Sequence, residues 1–116
     1  MKNSDQTQEV DFEEFLNDPE IRTAFEDAQF RSDIIGAITA ARKRAGKTQA
    51  AVAKEMGTTQ SAVSDLENGG DPHFSTLQRY ARASGTRIRF YVDCVVDGVT
   101  EIVTQDAIQP KNHLAN

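Results

Sequence analysis

The feature that most narrows the folds open to this chain is the stretch QAAVAKEMGTTQSAVSDLEN, residues 49–68. Thr48 and Thr59 each precede a short run at helical period, and a threonine there accepts a hydrogen bond from a first-turn N–H that no helical carbonyl reaches. Gly57 lies between the runs and takes a positive φ without strain. Val52, Met56, Val63 and Leu66 fall on the inward faces, and Ala53 is small where the two helices must cross. Gln60, Ser61, Ser64 and Asp65 form a polar outer face on the second run. Helices this short are marginal alone, so the pair requires a bundle around it.

The flanking residues supply that bundle. Asp11 and Glu14 are spaced as a capping box around Phe12, Phe15 and Leu16. Asp18-Pro19 starts a helix carrying Ile21, Ala24, Phe25 and Ala28. Ser32 is expected to cap a further helix with Ile34, Ile35, Ile38 and Ala41, closed by Gly46. Beyond the Gly69-Gly70-Asp71-Pro72 break, Ser75 is expected to cap TLQRYARAS, with Leu77, Tyr80, Ala81 and Ser84 on one face. The period then falls from 3.6 to 2. In RIRFYVDC, Ile88, Phe90, Val92 and Cys94 alternate with Arg87, Arg89, Tyr91 and Asp93; Asp97-Gly98 is a hairpin turn and VTEIVTQ the return strand. The predicted organisation is mainly α. It runs from an acidic N-terminal arm of one or two helices (1–30, with 1–10 disordered) through a helical domain (31–85) and a β-hairpin (86–105) to a flexible tail (106–116).

Composition closes off other classes. At 116 residues the chain has room for one small core. Cys94 is the single cysteine, and His73 and His113 have no cysteine partners, so neither a disulfide nor a metal site is expected. Paired carboxylates, a Ser/His set and a Gly-rich phosphate loop are absent from the sequence, so no enzyme, cofactor or small-molecule substrate is expected. With no long apolar run and no signal-peptide pattern, a cytoplasmic, membrane-independent protein is expected. Net charge is −5, but it is unevenly spread. Residues 1–30 have two basic and nine acidic side chains, residues 31–92 ten and five, and residues 93–116 one and four. A basic centre between acidic ends is compatible with two different partners, and equally with a solvated surface.

The 49–68 stretch meets the steric demands of a helix-turn-helix, although a generic helical hairpin shares several of them. From about Arg42 to Gly85 the chain resembles the XRE (phage repressor and Cro-like) family. The resemblance is carried by Thr48-Gln49, Ala53, Gly57, Thr59-Gln60-Ser61, Val63-Ser64, Leu66-Glu67-Asn68-Gly69, Pro72, Ser75-Thr76-Leu77, Tyr80-Ala81 and Gly85. It implies an all-α bundle whose third helix enters the major groove of double-stranded DNA. Gln60 and Ser61 would then contact base edges, and Gln49 would bind a phosphate and brace Gln60. A glutamine amide matches N6 and N7 of adenine in its own right. Ser64 reaches a base or a phosphate. Asp65 stands where the family often has a cation, and either accepts from cytosine N4 or is turned away by phosphate.

No Lys or Arg lies between Lys54 and Arg79, so the grip on DNA must come from beside the reading helix. Arg42, Lys43, Arg44, Lys47 and Lys54 are the cations expected at phosphates, with Thr48, Gln49, Thr59 and Asn68 as neutral contacts. A homodimer on a palindromic operator is expected, with Ile88, Phe90 and Val92 on its interface, the strand around Arg87–Val92 pairing across a two-fold axis. The hairpin packs on the helices, pairs with a second chain, or does both. Phe12, Phe15 and Phe25 in the acidic arm either dock a basic partner or cover the bundle. The order of elements looks like antitoxins of the HigA type, which implies a RelE-like ribonuclease toxin as partner and repression of the chain's own operon. A plain phage or prophage Cro-like regulator, and an interaction module that no longer binds DNA, are the competing readings.

Overall fold

A computed structural model describes residues 11–108. These fall into two compact units, with the boundary in the chain between Thr86 and Arg87. In the first unit α1 spans Phe12–Phe15, α2 Pro19–Arg44, α3 Gln49–Met56, α4 Gln60–Glu67 and α5 Phe74–Ala83. The second contains β1, Tyr91–Val96, β2, Val99–Thr104, and a short α6, Gln105–Ile108. The protein is thus mainly helical with a two-stranded C-terminal hairpin.

Most helix ends are those expected from local chemistry. Asp11 accepts from the N–H groups of Glu13 and Glu14, and Asp18 from that of Glu20 with Pro19 in the first turn. Thr48 caps α3 through Ala51 N at 3.0 Å, and Thr59 caps α4 through Ala62 N at 3.1 Å. Gly57 ends α3 in the left-handed region at φ 73°, so the turn into α4 needs a residue without a Cβ penalty.

Four expectations are corrected. Ser32 caps nothing: α2 is one 26-residue helix that runs straight past it. The physical reason is phase, since Ile21, Phe25, Ala28, Ser32, Ile35, Thr39 and Arg42 continue one stripe at spacings of four and three, leaving no break for a cap to serve. Ser75 lies inside α5, whose N-cap is His73 without a side-chain hydrogen bond. The first strand begins at Tyr91, so Arg87–Phe90 precede the ladder and, of the three expected interface residues, Val92 alone is in it. Residues 106–108, expected in a flexible tail, are helical; the rest of that tail and the disorder expected for 1–10 lie outside the described residues.

Val52, Val63, Tyr80 and Ala81 form the closed centre of the first unit, with Ile35, Ile38, Ala53, Leu66 and Leu77 around them. Gly70 lies where the chain leaves α4 so closely that a Cβ would approach the Asp65 carbonyl oxygen to 3.1 Å, which excludes a side chain there unless the backbone gives. In the hairpin unit Val96 pairs with Val99 across the turn and Tyr91 with Thr104 at the open end. Asp97 at φ 53° and Gly98 at φ 78° are both left-handed, the requirement of a two-residue type I′ turn.

Candidate nucleic-acid interface

The polar face of α4 stands over a buried charged network. Gln60, Ser61 and Asp65 are exposed and Ser64 is half-buried. Asn68 donates from Nδ2 to Ser64 Oγ at 3.3 Å, one turn along the same face. Gln60 donates from Nε2 to Gln49 Oε1 at 3.4 Å, and Gln49 in turn donates from Nε2 to Glu67 Oε1 at 2.9 Å. An ionised carboxylate only accepts, so Glu67 obliges Gln49 to direct its nitrogen inward and its oxygen toward Gln60. That leaves Gln60 with Oε1 and one N–H free for a ligand.

Glu67 is itself held from three helices. Arg42 of α2 donates to it from Nε at 2.7 Å and Nη2 at 3.1 Å, and Tyr80 of α5 donates from its hydroxyl at 2.5 Å. Thr39 Oγ1 lies 2.8 Å from the Tyr80 hydroxyl. Both ion-pair side chains are 8% exposed. Burial by itself raises a carboxyl pKa, but the hydrogen bonds from Arg42, Tyr80 and Gln49 outweigh it and hold Glu67 below the usual carboxylate range. The hydrogen bond to Glu67 holds the Arg42 guanidinium above its ordinary value. Burial, reinforced by the bond to Glu67, pushes the Tyr80 phenol up to about 12.

This network takes Arg42 away from the phosphate role expected of it. Two of its nitrogens face Glu67 and the third, Nη1, donates to the Lys47 carbonyl at 2.8 Å. Lys47 is also largely turned inward: its ammonium donates to the Ala83 carbonyl at 3.0 Å and lies 3.4 Å from Glu55. Lys43, Arg44 and Lys54 are the members of the cationic set left exposed. Thr48 and Thr59 accept from backbone N–H groups, and each hydroxyl keeps its hydrogen to donate outward. Among the described residues no cation pairs with the Asp65 carboxylate. Glu67, carried only by the family resemblance, and Tyr80, expected on the one face of its helix with Leu77 and Ala81, were not expected as members of the site. Arg42 and Glu67 are 25 positions apart, and no local pattern links them.

Phe12 and Phe25 meet edge to face at 5.5 Å, and Arg22 donates to the Leu16 carbonyl, so α1 lies back against the start of α2. Phe12, Phe15 and Phe25 nevertheless remain exposed, as does Phe30. In the hairpin unit Ile88 is half-buried, and Phe90 and Val92 are exposed.

Residues 38–90 match the family model described as Helix-turn-helix. They include Arg42, Gln49, Gln60, Glu67 and Tyr80. The chain is 42% identical over 77 residues to Antitoxin HigA1 of Mycobacterium tuberculosis, in each of two strains. The match covers 66% of this chain and 52% of the relative, so the chain spans about half the length of the curated relatives it matches. No solved structure matches it.

Proposed function

We propose, from the match of residues 38–90 to the helix-turn-helix model, that the chain is a sequence-specific DNA-binding repressor of the XRE type acting as the antitoxin of a toxin–antitoxin pair. The observation that carries the DNA-binding part is the relay from buried Glu67 through Gln49 to exposed Gln60. A reading side chain is useful only if its donor and acceptor are held in one arrangement, and a buried charge provides the hold. Gln60 and Ser61 read base edges from the start of α4, Ser64 reaches further along, and Asp65 accepts from cytosine N4. Phosphates are held by Lys43, Arg44 and Lys54 beside the reading helix, by Thr48, Thr59, Asn68 and the second N–H of Gln49, and by the first-turn N–H groups of α3 and α4. So few cations bind weakly at physiological salt. Two copies on a palindromic operator offset that weakness, with half-sites about one helical turn apart. Phe90 and Val92, with Ile88, contribute to the dimer surface.

The antitoxin part is supported by the name of the relatives and by the exposed phenylalanines of the acidic arm. Phe12, Phe15 and Phe25 dock a basic protein, a RelE-like ribonuclease encoded beside this chain's gene, and the complex represses their shared operon. Gel shifts on the upstream DNA test the reading role. Gln60→Ala loses about 1–3 kcal/mol of specific binding and keeps the salt-dependent binding to unrelated DNA. Replacing Lys43 and Arg44 together weakens both. Equal loss in the two variants contradicts the division of roles. Copurification with the neighbouring gene product tests the toxin.

A further inference from the structure

α2 carries one stripe from end to end, but the bundle covers only part of it. Ile35, Ile38 and Arg42 are buried, whereas none of residues 19–30 is. Where cover stops, a cleft of about 240 Å³ opens between α2 and the turn after α4. Ala28, Ser32 and Gly36, one turn apart and all small, line it with Arg31 and Ile35 of the same helix, and Glu67, Gly69 and Gly70 line it from the end of α4 and the turn beyond. Gly36 leaves open space where a Cβ would stand. The volume falls below the roughly 300–1,000 Å³ typical of small-molecule pockets, and suits one apolar side chain of another protein.

Charge decides which protein. Residues 11–30 contain seven carboxylates against Arg22 alone. Glu20 and Asp27, seven apart, lie along one side of the stripe formed by Ile21, Phe25 and Ala28. At the cleft, Arg31 is drawn toward Asp71 at 3.6 Å, which reduces its free positive charge. An apolar track beside carboxylates fits a basic segment that alternates cations with apolar anchors. We propose that a basic protein partner docks along α2 from Phe25 to Gly36, placing one apolar anchor in the cleft between Ser32 and the Gly69-Gly70 turn. The proposal rests on the antitoxin reading for the partner's identity, and adds where that partner sits: on α2 ahead of the matched residues 38–90, and against the Gly69-Gly70 turn within them.

The test uses the full chain, with the small protein encoded beside its gene as probe, and measures affinity by calorimetry and DNA binding by gel shift for each variant. Ser32→Trp fills the cleft and Asp27→Lys reverses an exposed charge on the track. Each is expected to weaken the partner at least about tenfold while the gel shift and the thermal midpoint stay as in the wild type. If the wild type binds the probe and both variants bind it equally well, the docking surface is wrong and the antitoxin reading survives. If the wild type does not bind the probe, the antitoxin reading fails and the proposal with it. Should Ser32→Trp perturb the fold, Asp27→Lys decides alone, because an exposed helical charge leaves packing intact. Self-association abolished by Ser32→Trp assigns the cleft to a second copy and overturns the proposal.

Discussion

The two halves of α2 share one backbone and almost nothing else. Residues 31–44 place Ile35, Ile38 and Arg42 in the core, and Arg42 reaches from there into the ion pair beneath the reading helix. Residues 19–30 bury no side chain, and Phe25 and Phe30 are 43% and 68% exposed. One half is held by tertiary contacts. The other is held by the Asp18 cap, Pro19, the continuity of the helix itself and two exposed contacts to α1, Phe25 with Phe12 and Arg22 with the Leu16 carbonyl. The difference teaches that a buried half supplies rigidity to a neighbouring site, whereas an exposed half is free to be a surface.

The largest expected effect breaks the rigid half. Glu67→Ala leaves the Arg42 guanidinium buried without its carboxylate and is expected to cost about 3–5 kcal/mol, read by chemical denaturation. Phe30→Ala, in the exposed half, is expected to stay within about 0.5 kcal/mol. Comparable losses would erase the contrast between the halves. The pH profile sharpens it. Glu67 is held below its ordinary value, so its contribution is present above the usual carboxylate range and is lost as pH falls through the folded value. The stability gap between the wild type and Glu67→Gln should therefore close in acid. Tyr80 is raised to about 12; its contribution is complete below the ordinary phenol pKa of about 10 and fades as pH rises through the folded value. Tyr80→Phe should lack that alkaline loss.

A smaller effect concerns grip. Lys54→Ala removes one exposed cation beside the reading helix, and the slope of log affinity against log salt should fall by about 1. A variant at Arg42 that still folds should leave that slope unchanged, because its guanidinium faces Glu67 and the Lys47 carbonyl. The smallest effect tests the uncovered stripe. Gly36→Ala meets open space within the helix and should stabilise the chain by up to about 1 kcal/mol, seen as a small rise in thermal midpoint. A loss there would mean that Gly36 is in contact with something.

Much of the architecture was legible because it is local. Threonine caps at 48 and 59, glycine at 57, the Asp18-Pro19 start and the Asp97-Gly98 turn act within a few residues of themselves, and all hold their expected places. The misreadings have a common cause. Ser32 and Ser75 are good caps by residue type, yet both are inside helices, because a cap works only where the backbone leaves the helix and neither residue can force that. At the interface, the family resemblance implied that Gln49 braces Gln60, and a 3.4 Å bond joins them, whereas Arg42, expected at phosphate for its charge and its place beside the motif, faces Glu67 and the Lys47 carbonyl.

The sequence by itself determined the helical hairpin of 49–68, the polar face of its second helix and the change from helical to strand period after Gly85, since each depends on spacing within a few turns. Only the tertiary structure decided that Arg42 is a buried partner of Glu67 rather than a surface cation, and that α2 continues uncovered past the bundle. A charge has the same letter in either place; whether it meets water or a carboxylate depends on helices brought together from distant parts of the chain.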